Sequence, residues 1–202
     1  VIIAVGLKKS RTVPIPGNNA DGVYGGVEFL RNVALKNPHL IGKKVVIIGG
    51  GNVAYDVART ALRRQQMDIL STLRREEKDV EAVLCCLETR EEMLADEIEI
   101  LEGEEEGVRR VNGYGPQEIL TENGKVKGVL FYKVISIFDD NKRFNPKFDP
   151  NDKIVLDADT VLMAIGQRAD ISFINPAIVS KVGRSANMEN IDTVMSDRSI
   201  SR

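Results

Sequence analysis

Hydrophobic and polar positions divide this chain into segments of different period. Val45-Val46-Ile47-Ile48 are four consecutive β-branched residues and predict a strand buried on both faces. They run directly into Gly49-Gly50-Gly51-Asn52-Val53-Ala54, after which Val53, Val57, Ala58, Ala61, Leu62, Ile69 and Leu73 fall on one helical stripe. Ahead of this unit, Val27, Phe29, Leu30, Val33 and Ala34 predict a helix that ends at Asn37-Pro38. Val1 to Val5 before Gly6 reads as a strand, and Lys8 to Asp21, with Pro14, Pro16 and Gly17, as an extended linker.

The helix after the glycines has two readings. A long helix to about Lys78 makes Val80 to Leu87 the next strand and puts Glu88, Thr89 and Arg90 at its carboxyl end. A short helix stopping near Gln65-Gln66 makes Met67 to Leu73 the strand, ending at Arg74 and Arg75. Spacing favours the short form, because the ribose-selecting residue usually lies about 20 residues beyond the glycines. Strand quality favours the long form, since Val80 to Leu87 is uncharged apart from Glu81. The long form is adopted, which leaves Arg74 and Arg75 as surface charges.

Further along, Ile98 and Leu101 sit at helical spacing in an acidic stretch, and a solvent-facing helix is expected over Ala95 to Glu106, closed by Gly107. Strands are then expected at Val108 to Val111, Glu118 to Leu120, Lys125 to Phe138 and Lys153 to Leu156. Turns at Glu122-Asn123-Gly124 and Asp139-Asp140-Asn141 make them an antiparallel meander. Phe144 to Asp152, with two prolines, reads as a surface loop. Thr160 to Gly166 returns as an apolar strand ending at a glycine, and the tail from Ser180 is polar with weak strand pattern.

The candidate chemistry concentrates at the glycines. Gly49-x-Gly51-x-x-Ala54 is the G-x-G-x-x-G/A fingerprint in its required setting of strand before and helix after. Gly49 permits the tight turn, Gly51 lets the backbone approach a pyrophosphate, and Ala54 lets the helix pack closely on the strand. Helix amides then face the phosphates. Asp56 is placed on the first helical turn, where it complements the helix dipole. The second strand's tip chooses the nucleotide: a carboxylate there accepts from the ribose of NAD, and arginines favour the 2′-phosphate of NADP.

Composition narrows the field. The 202 residues are 43% hydrophobic with net charge −2, and the pI is near 5.6, so nucleic acid or an anionic membrane is not the expected main partner. No apolar run approaches the ~18 residues of a membrane span, and the opening is no signal peptide, so a cytoplasmic chain is expected. Cys85 and Cys86 are adjacent, which suits neither a disulfide framework nor a zinc or iron–sulfur site, and they read as small hydrophobes on a buried strand. His39 reads as a loop residue, and the acidic helix as a solvated face. No Tyr-x-x-x-Lys pair appears, which argues against a self-contained short-chain dehydrogenase. The chain starts inside a strand without Met, and a piece of something longer is expected.

Several runs together resemble the NAD(P)H-binding domain of the FAD-dependent pyridine nucleotide oxidoreductases that include the glutamate synthase small subunit and GltD-like enzymes. They are Ile3-Ala4-Val5-Gly6, Gly22-Val23-Tyr24 with Phe29-Leu30, Gly49 to Arg59, Glu92-Met93, Glu106-Gly107-Val108 and Ala158 to Gln167. Gly-Gly-Gly-Asn-x-Ala-x-Asp and Ala-Ile-Gly-Gln are the specific ones. The resemblance implies an α/β, Rossmann-like three-layer fold, with a parallel sheet and an antiparallel meander. It also implies a division into a crossing strand, linker and helix over 1–42, an NAD(P)H-binding domain over 43–170 and a return segment over 171–202. FAD would be carried by flanking sequence, because no second glycine fingerprint or Gly-Asp motif occurs in the chain, and no cysteine cluster for an iron–sulfur centre occurs in it either.

On this resemblance the intact protein passes hydride from NAD(P)H to FAD and electrons on to an iron–sulfur centre or a partner such as a glutamate synthase large subunit. The part in hand would be inactive alone. Gly49, Gly50, Gly51, Asn52, Val53 and Ala54 would hold the pyrophosphate, Glu88 and Arg90 the adenosine ribose, and Ala164, Ile165 and Gly166 would lie near the nicotinamide. No metal site or catalytic side chain is expected. Two positions depart from the pattern: Glu88 and Arg90 replace an Arg-Arg pair at the second strand's end, and Leu94 replaces a proline. A non-catalytic nucleotide-sensing or interaction domain of the same fold is the alternative.

Overall fold

The computed structural model describes residues 6–37, 41–67, 80–170 and 172–173. Ser10–Gly166 forms one compact unit, and the segments on either side of it form another. The sheet that organises the larger unit contains β2 (Val23–Gly25), β3 (Lys44–Ile48), β4 (Glu81–Cys86), β5 (Arg109–Asn112) and β9 (Thr160–Met163), in the order β2-β9-β3-β4-β5. Every pairing in it is parallel. Three helices accompany it: α1 (Gly26–Ala34), α2 (Asn52–Met67) and α3 (Glu97–Glu105). A separate antiparallel sheet contains β6 (Tyr114–Glu122), β7 (Lys125–Phe138) and β8 (Phe144–Asp157), in that order. Short strands β1 (Lys9–Ser10) and β10 (Gln167–Arg168) complete the elements.

The unbroken apolar run of β3 has a direct physical reading. Val45 and Ile47 enter the core that contains Phe29, Ala54, Val57, Ala58 and Ile100 from the helices. Val46 and Ile48 enter a second core with Ile119, Val129 and Phe131 from the antiparallel sheet. Because side chains alternate along a strand, a central strand of a three-layer fold is apolar at every position. The three-layer α/β architecture expected from the sequence is therefore present.

The elements around β3 largely match expectation. α2 begins at Asn52 and Met67 is still helical, while Glu81–Cys86 pairs with β3. This is the long-helix reading of the next strand; residues 68–79, including Arg74 and Arg75, lie outside the described residues. α3 ends as anticipated at Gly107, which has φ +94°. Gly107 N–H donates to Glu104 O at 3.0 Å and Val108 N–H to Gly103 O at 2.9 Å, the paired bonds of a Schellman motif. Asn123 (φ 52°) and Gly124 (φ 76°) form the two-residue turn joining β6 to β7. Val1 to Val5, His39 and the tail from Ser180 lie outside the described residues.

Three expectations are corrected. Phe144 to Asp152 is strand rather than loop: β8 runs through Pro146 and Pro150 because it is an edge strand, where a missing N–H faces away from the ladder, and register shifts absorb the irregularity. Val108 to Val111 does not start the meander. Its residues from Arg109 on form β5, parallel to β4, so it belongs to the main sheet. Asp56 lies beyond the first turn of α2, which contains no acidic residue, and so is too far in to act on the helix end. One short edge strand, β2, was read only as part of a motif.

Candidate nucleotide-binding site

The carboxyl ends of β3 and β9 lie side by side, with β4 on the other flank of β3. The connection from β3 goes to one side and the return strand β9 arrives on the other. That makes this crevice the topological switch point, where open α/β sheets take ligands. Gly49 sits at its centre. Its N–H donates to Cys85 O at 2.9 Å, and next to it Ala164 N–H donates to Ile48 O at 2.8 Å. Gly49 has φ +140°, and a β-carbon there would lie 2.3 Å from the Ala164 carbonyl oxygen. Only glycine satisfies both conditions.

The other two glycines differ in their surroundings. A β-carbon on Gly50 would meet Cys86 Cβ at 2.8 Å and Glu88 Oε2 at 3.1 Å. Gly51 has nothing within 4 Å of the same position, so the space above it is open. A side chain at Gly51 would project into this open space. Gly51 O accepts from Ala54 N–H at 2.9 Å, which starts α2, and the amides of Asn52 and Val53 fall before the first intrahelical donor. Ala54 is fully buried, as close packing of helix on strand requires.

Asn52 does not present its side chain to this space. Its Nδ2 donates to Asp96 Oδ2 at 2.8 Å, and its Oδ1 accepts from Asp96 N–H at 2.8 Å. Asp96 is the N-cap of α3, yet its side chain makes no cap bond with its own helix. Its carboxylate is used to join α3 to the start of α2. Asn52 can therefore serve a phosphate through its backbone, and its side chain anchors the loop 87–96.

That loop includes Glu88, whose carbonyl accepts from Gly113 N–H at 3.1 Å and Asn112 Nδ2 at 3.0 Å. Arg110 Nε in turn donates to Asn112 Oδ1 at 2.8 Å, and Arg110 also reaches the Tyr55 hydroxyl at 3.2 Å. The half-buried Glu88 side chain lies against Gly50. Arg90 donates to Glu97 Oε1 at 2.5 Å, and the guanidinium holds the Glu97 carboxyl below the ordinary glutamate range. On the far flank, Ala164 is buried, Ile165 is exposed and Gly166 (φ +115°) accepts from Arg11 N–H at 2.9 Å.

The structure thus brings Gly49, Gly50, Gly51, Asn52, Val53, Ala54 and Glu88 around the end of β3, with Ala164, Ile165 and Gly166 beside them on β9 and its continuation. Asp96, Glu97 and Asn112 were missed. Asp96 carried an N-cap signal, which points to its own helix; its true partner is 44 residues away in sequence. The cysteines behave as read: consecutive residues of β4, they point to opposite faces and enter different cores. Burial holds both thiols neutral, that of Cys86 up to about 12 and that of Cys85 higher still. They do not form a dithiol pair. Among the described residues no group of side chains could hold a metal, and no helix is long and apolar enough to cross a membrane.

A family model for pyridine nucleotide-disulphide oxidoreductases matches residues 1–193. The chain belongs to this family. Proteins of the family bind FAD and NADP(H). Among curated proteins, the beta subunit of an NADP(+)-dependent formate dehydrogenase from Moorella thermoacetica is 35% identical over 96% of this chain and 26% of its own length. The beta subunit of an NADPH-Fe(3+) oxidoreductase from Geobacter sulfurreducens is 35% identical over 86% of the chain and 25% of its own length. The glutamate synthase [NADPH] small chain of Azospirillum brasilense is 27% identical over 82% of the chain and 34% of its own length. The chain therefore spans a quarter to a third of the length of these relatives. Among solved structures, Mycobacterium tuberculosis FprA in complex with NADPH aligns with a TM-score of 0.65 at 21% identity, over 83% of this chain and 50% of that one. At that identity the likeness concerns the fold.

Proposed function

We propose that this chain is the pyridine-nucleotide-binding part of an FAD-dependent NAD(P)H oxidoreductase acting in the cytoplasm. Residues 43–170 are its nucleotide domain, and 1–42 and 171–202 lead toward an FAD domain of the same polypeptide. The observation that carries the reading is the open space above Gly51 at the junction of β3 and β9. The donor set fits a dinucleotide: backbone amides at the start of α2 for the pyrophosphate, and Glu88 and Arg90 for the adenosine ribose. Ala164 and Gly166 add little side-chain bulk to the wall for the nicotinamide, and the exposed Ile165 offers the ring an apolar surface. When bound, the two cofactors supply hydride transfer, and the protein supplies position and electrostatics.

On this reading the chain's own task is to bind and orient the nucleotide. Electrons leaving the flavin would pass to an iron–sulfur or large-subunit partner, as the names of the relatives suggest. The isolated chain, without FAD, would bind nucleotide and turn nothing over. The test is titration of NADPH and NADH against the full-length protein and its Gly51→Val variant. A loss of at least tenfold, about 1.4 kcal/mol, is expected. Unchanged affinity for both nucleotides overturns the assignment.

A further inference from the structure

Two polar side chains among the proposed nucleotide contacts, Asn52 and Arg90, are both held by the start of one helix. Asp96, the N-cap of α3, takes Asn52 through two hydrogen bonds of 2.8 Å. Glu97, the next residue, takes Arg90 at 2.5 Å. The Asn52–Asp96 link fixes this turn against the start of α2, so Arg90's partner stands at a set place beside the glycine loop. Both members of the Arg90–Glu97 pair remain open to water, at 35% and 64% side-chain exposure, so it can part without leaving a buried charge.

We propose that Glu97 sets the choice between NADPH and NADH at this site by competing with the 2′-phosphate for Arg90. This rests on the nucleotide-binding reading given above. Glu97 holds the Arg90 guanidinium through Nη2 and offsets its charge, so a phosphate has to compete with that carboxylate for the cation. With Arg90 closed on Glu97, the tip of β4 presents Glu88, a carboxylate that accepts from a free ribose 2′-hydroxyl and repels a 2′-phosphate. With Arg90 released, the same tip offers a cation to the 2′-phosphate. NADH has nothing with which to displace Glu97, and its affinity is independent of the pair. NADPH has to compete with it, and its affinity is lowered accordingly.

The experiment compares NADPH with NADH, and 2′,5′-ADP with 5′-ADP, on the full-length protein and on Glu97→Gln, Arg90→Gln and the double variant. Glu97→Gln is expected to tighten NADPH and 2′,5′-ADP by about two- to fivefold, the range of an exposed ion pair, and to leave NADH and 5′-ADP unchanged. Unchanged NADH affinity also shows that the variant is folded. The gain must vanish in the Arg90→Gln background. No change in the NADPH to NADH ratio, an equal change in both, or a gain that survives loss of Arg90 overturns the proposal. If Gly51→Val abolishes binding while Glu97→Gln leaves the ratio alone, only this inference falls. If Gly51→Val has no effect, the nucleotide site falls and this inference with it.

Discussion

Gly49 lies back to back with Ala164: a β-carbon on the first would stand 2.3 Å from the carbonyl oxygen of the second. Two strands far apart in sequence therefore meet at a point with no room for a methyl group. Gly49→Ala combines that collision with φ +140°, and is expected to destabilise the fold by about 2–5 kcal/mol. Gly51→Ala meets nothing within 4 Å and should leave stability within about 0.5–1 kcal/mol of wild type while weakening nucleotide binding. Chemical denaturation of both variants, alongside NADPH titration, checks the contrast. A Gly51→Ala protein as unstable as Gly49→Ala would contradict the open space there.

The contact of α2 with α3 predicts a pH dependence. Arg59 donates to Glu106 at 2.7 Å, Glu99 at 3.1 Å and Glu102 at 2.5 Å, and Arg63 Nε donates to Glu106 Oε2 at 2.7 Å. Arg63 first, and then Arg59, hold the Glu106 carboxyl below its ordinary range against a smaller opposing effect of burial. A carboxyl depressed in the folded state contributes stability above its unfolded pKa, about 4.3, and loses it as pH falls through the folded value. The Tm gap between wild type and Glu106→Gln should thus be widest near pH 7 and narrow on acidification below about pH 4. A gap that widens in acid would reverse the sign of the argument.

The thiols of Cys85 and Cys86 should be silent. Burial raises both well above neutral pH, and neither strand face exposes sulfur. A thiol reagent at pH 8 should label neither in the native protein and both after denaturation. Rapid native labelling at either position would show that β4 opens readily or is less buried than it stands here.

Gly103 supplies a test of helix packing. In a solvent-facing helix, Gly103→Ala would stabilise by about 1 kcal/mol. Here a β-carbon would meet the ring of Tyr55 at 2.5 Å, since α3 lies directly on that buried tyrosine. The substitution should instead cost about 1–3 kcal/mol, measurable as a lower denaturation midpoint. A stabilised Gly103→Ala would mean that α3 is not seated on Tyr55.

What was legible beforehand follows from how local each cause is. The β3–glycine–α2 unit was plain because apolar run, glycines and helical stripe adjoin within a few residues and each has its own period. The Schellman end at Gly107 and the Asn123-Gly124 turn are equally local. The placement of β5 was not legible: Arg109-Arg110-Val111-Asn112 fits a parallel edge or a meander strand alike, and only its pairing with Val83 to Cys86 decides. β8 was hidden by prolines that matter only to a strand with neighbours on both sides. Among site residues, those that act through backbone shape were found from type and spacing. Asp96, Glu97 and Asn112 act through side chains that reach across the fold, and nothing adjacent to them in sequence announces their partners.

The register of β9 has a consequence for how such a chain matures. Val45 lies beside Thr160 and Ile48 beside Met163, so the strand flanking the glycine loop is made more than a hundred residues after it. During synthesis the glycine loop, α2, β4 and the whole antiparallel sheet emerge before the wall formed by Ala164 exists. Closing so long a loop is entropically slow and depends on the intervening sheet being in place. On the proposed reading, nucleotide binding would report completion of the domain: a nascent chain halted before residue 160 would carry the fingerprint without the flanking strand.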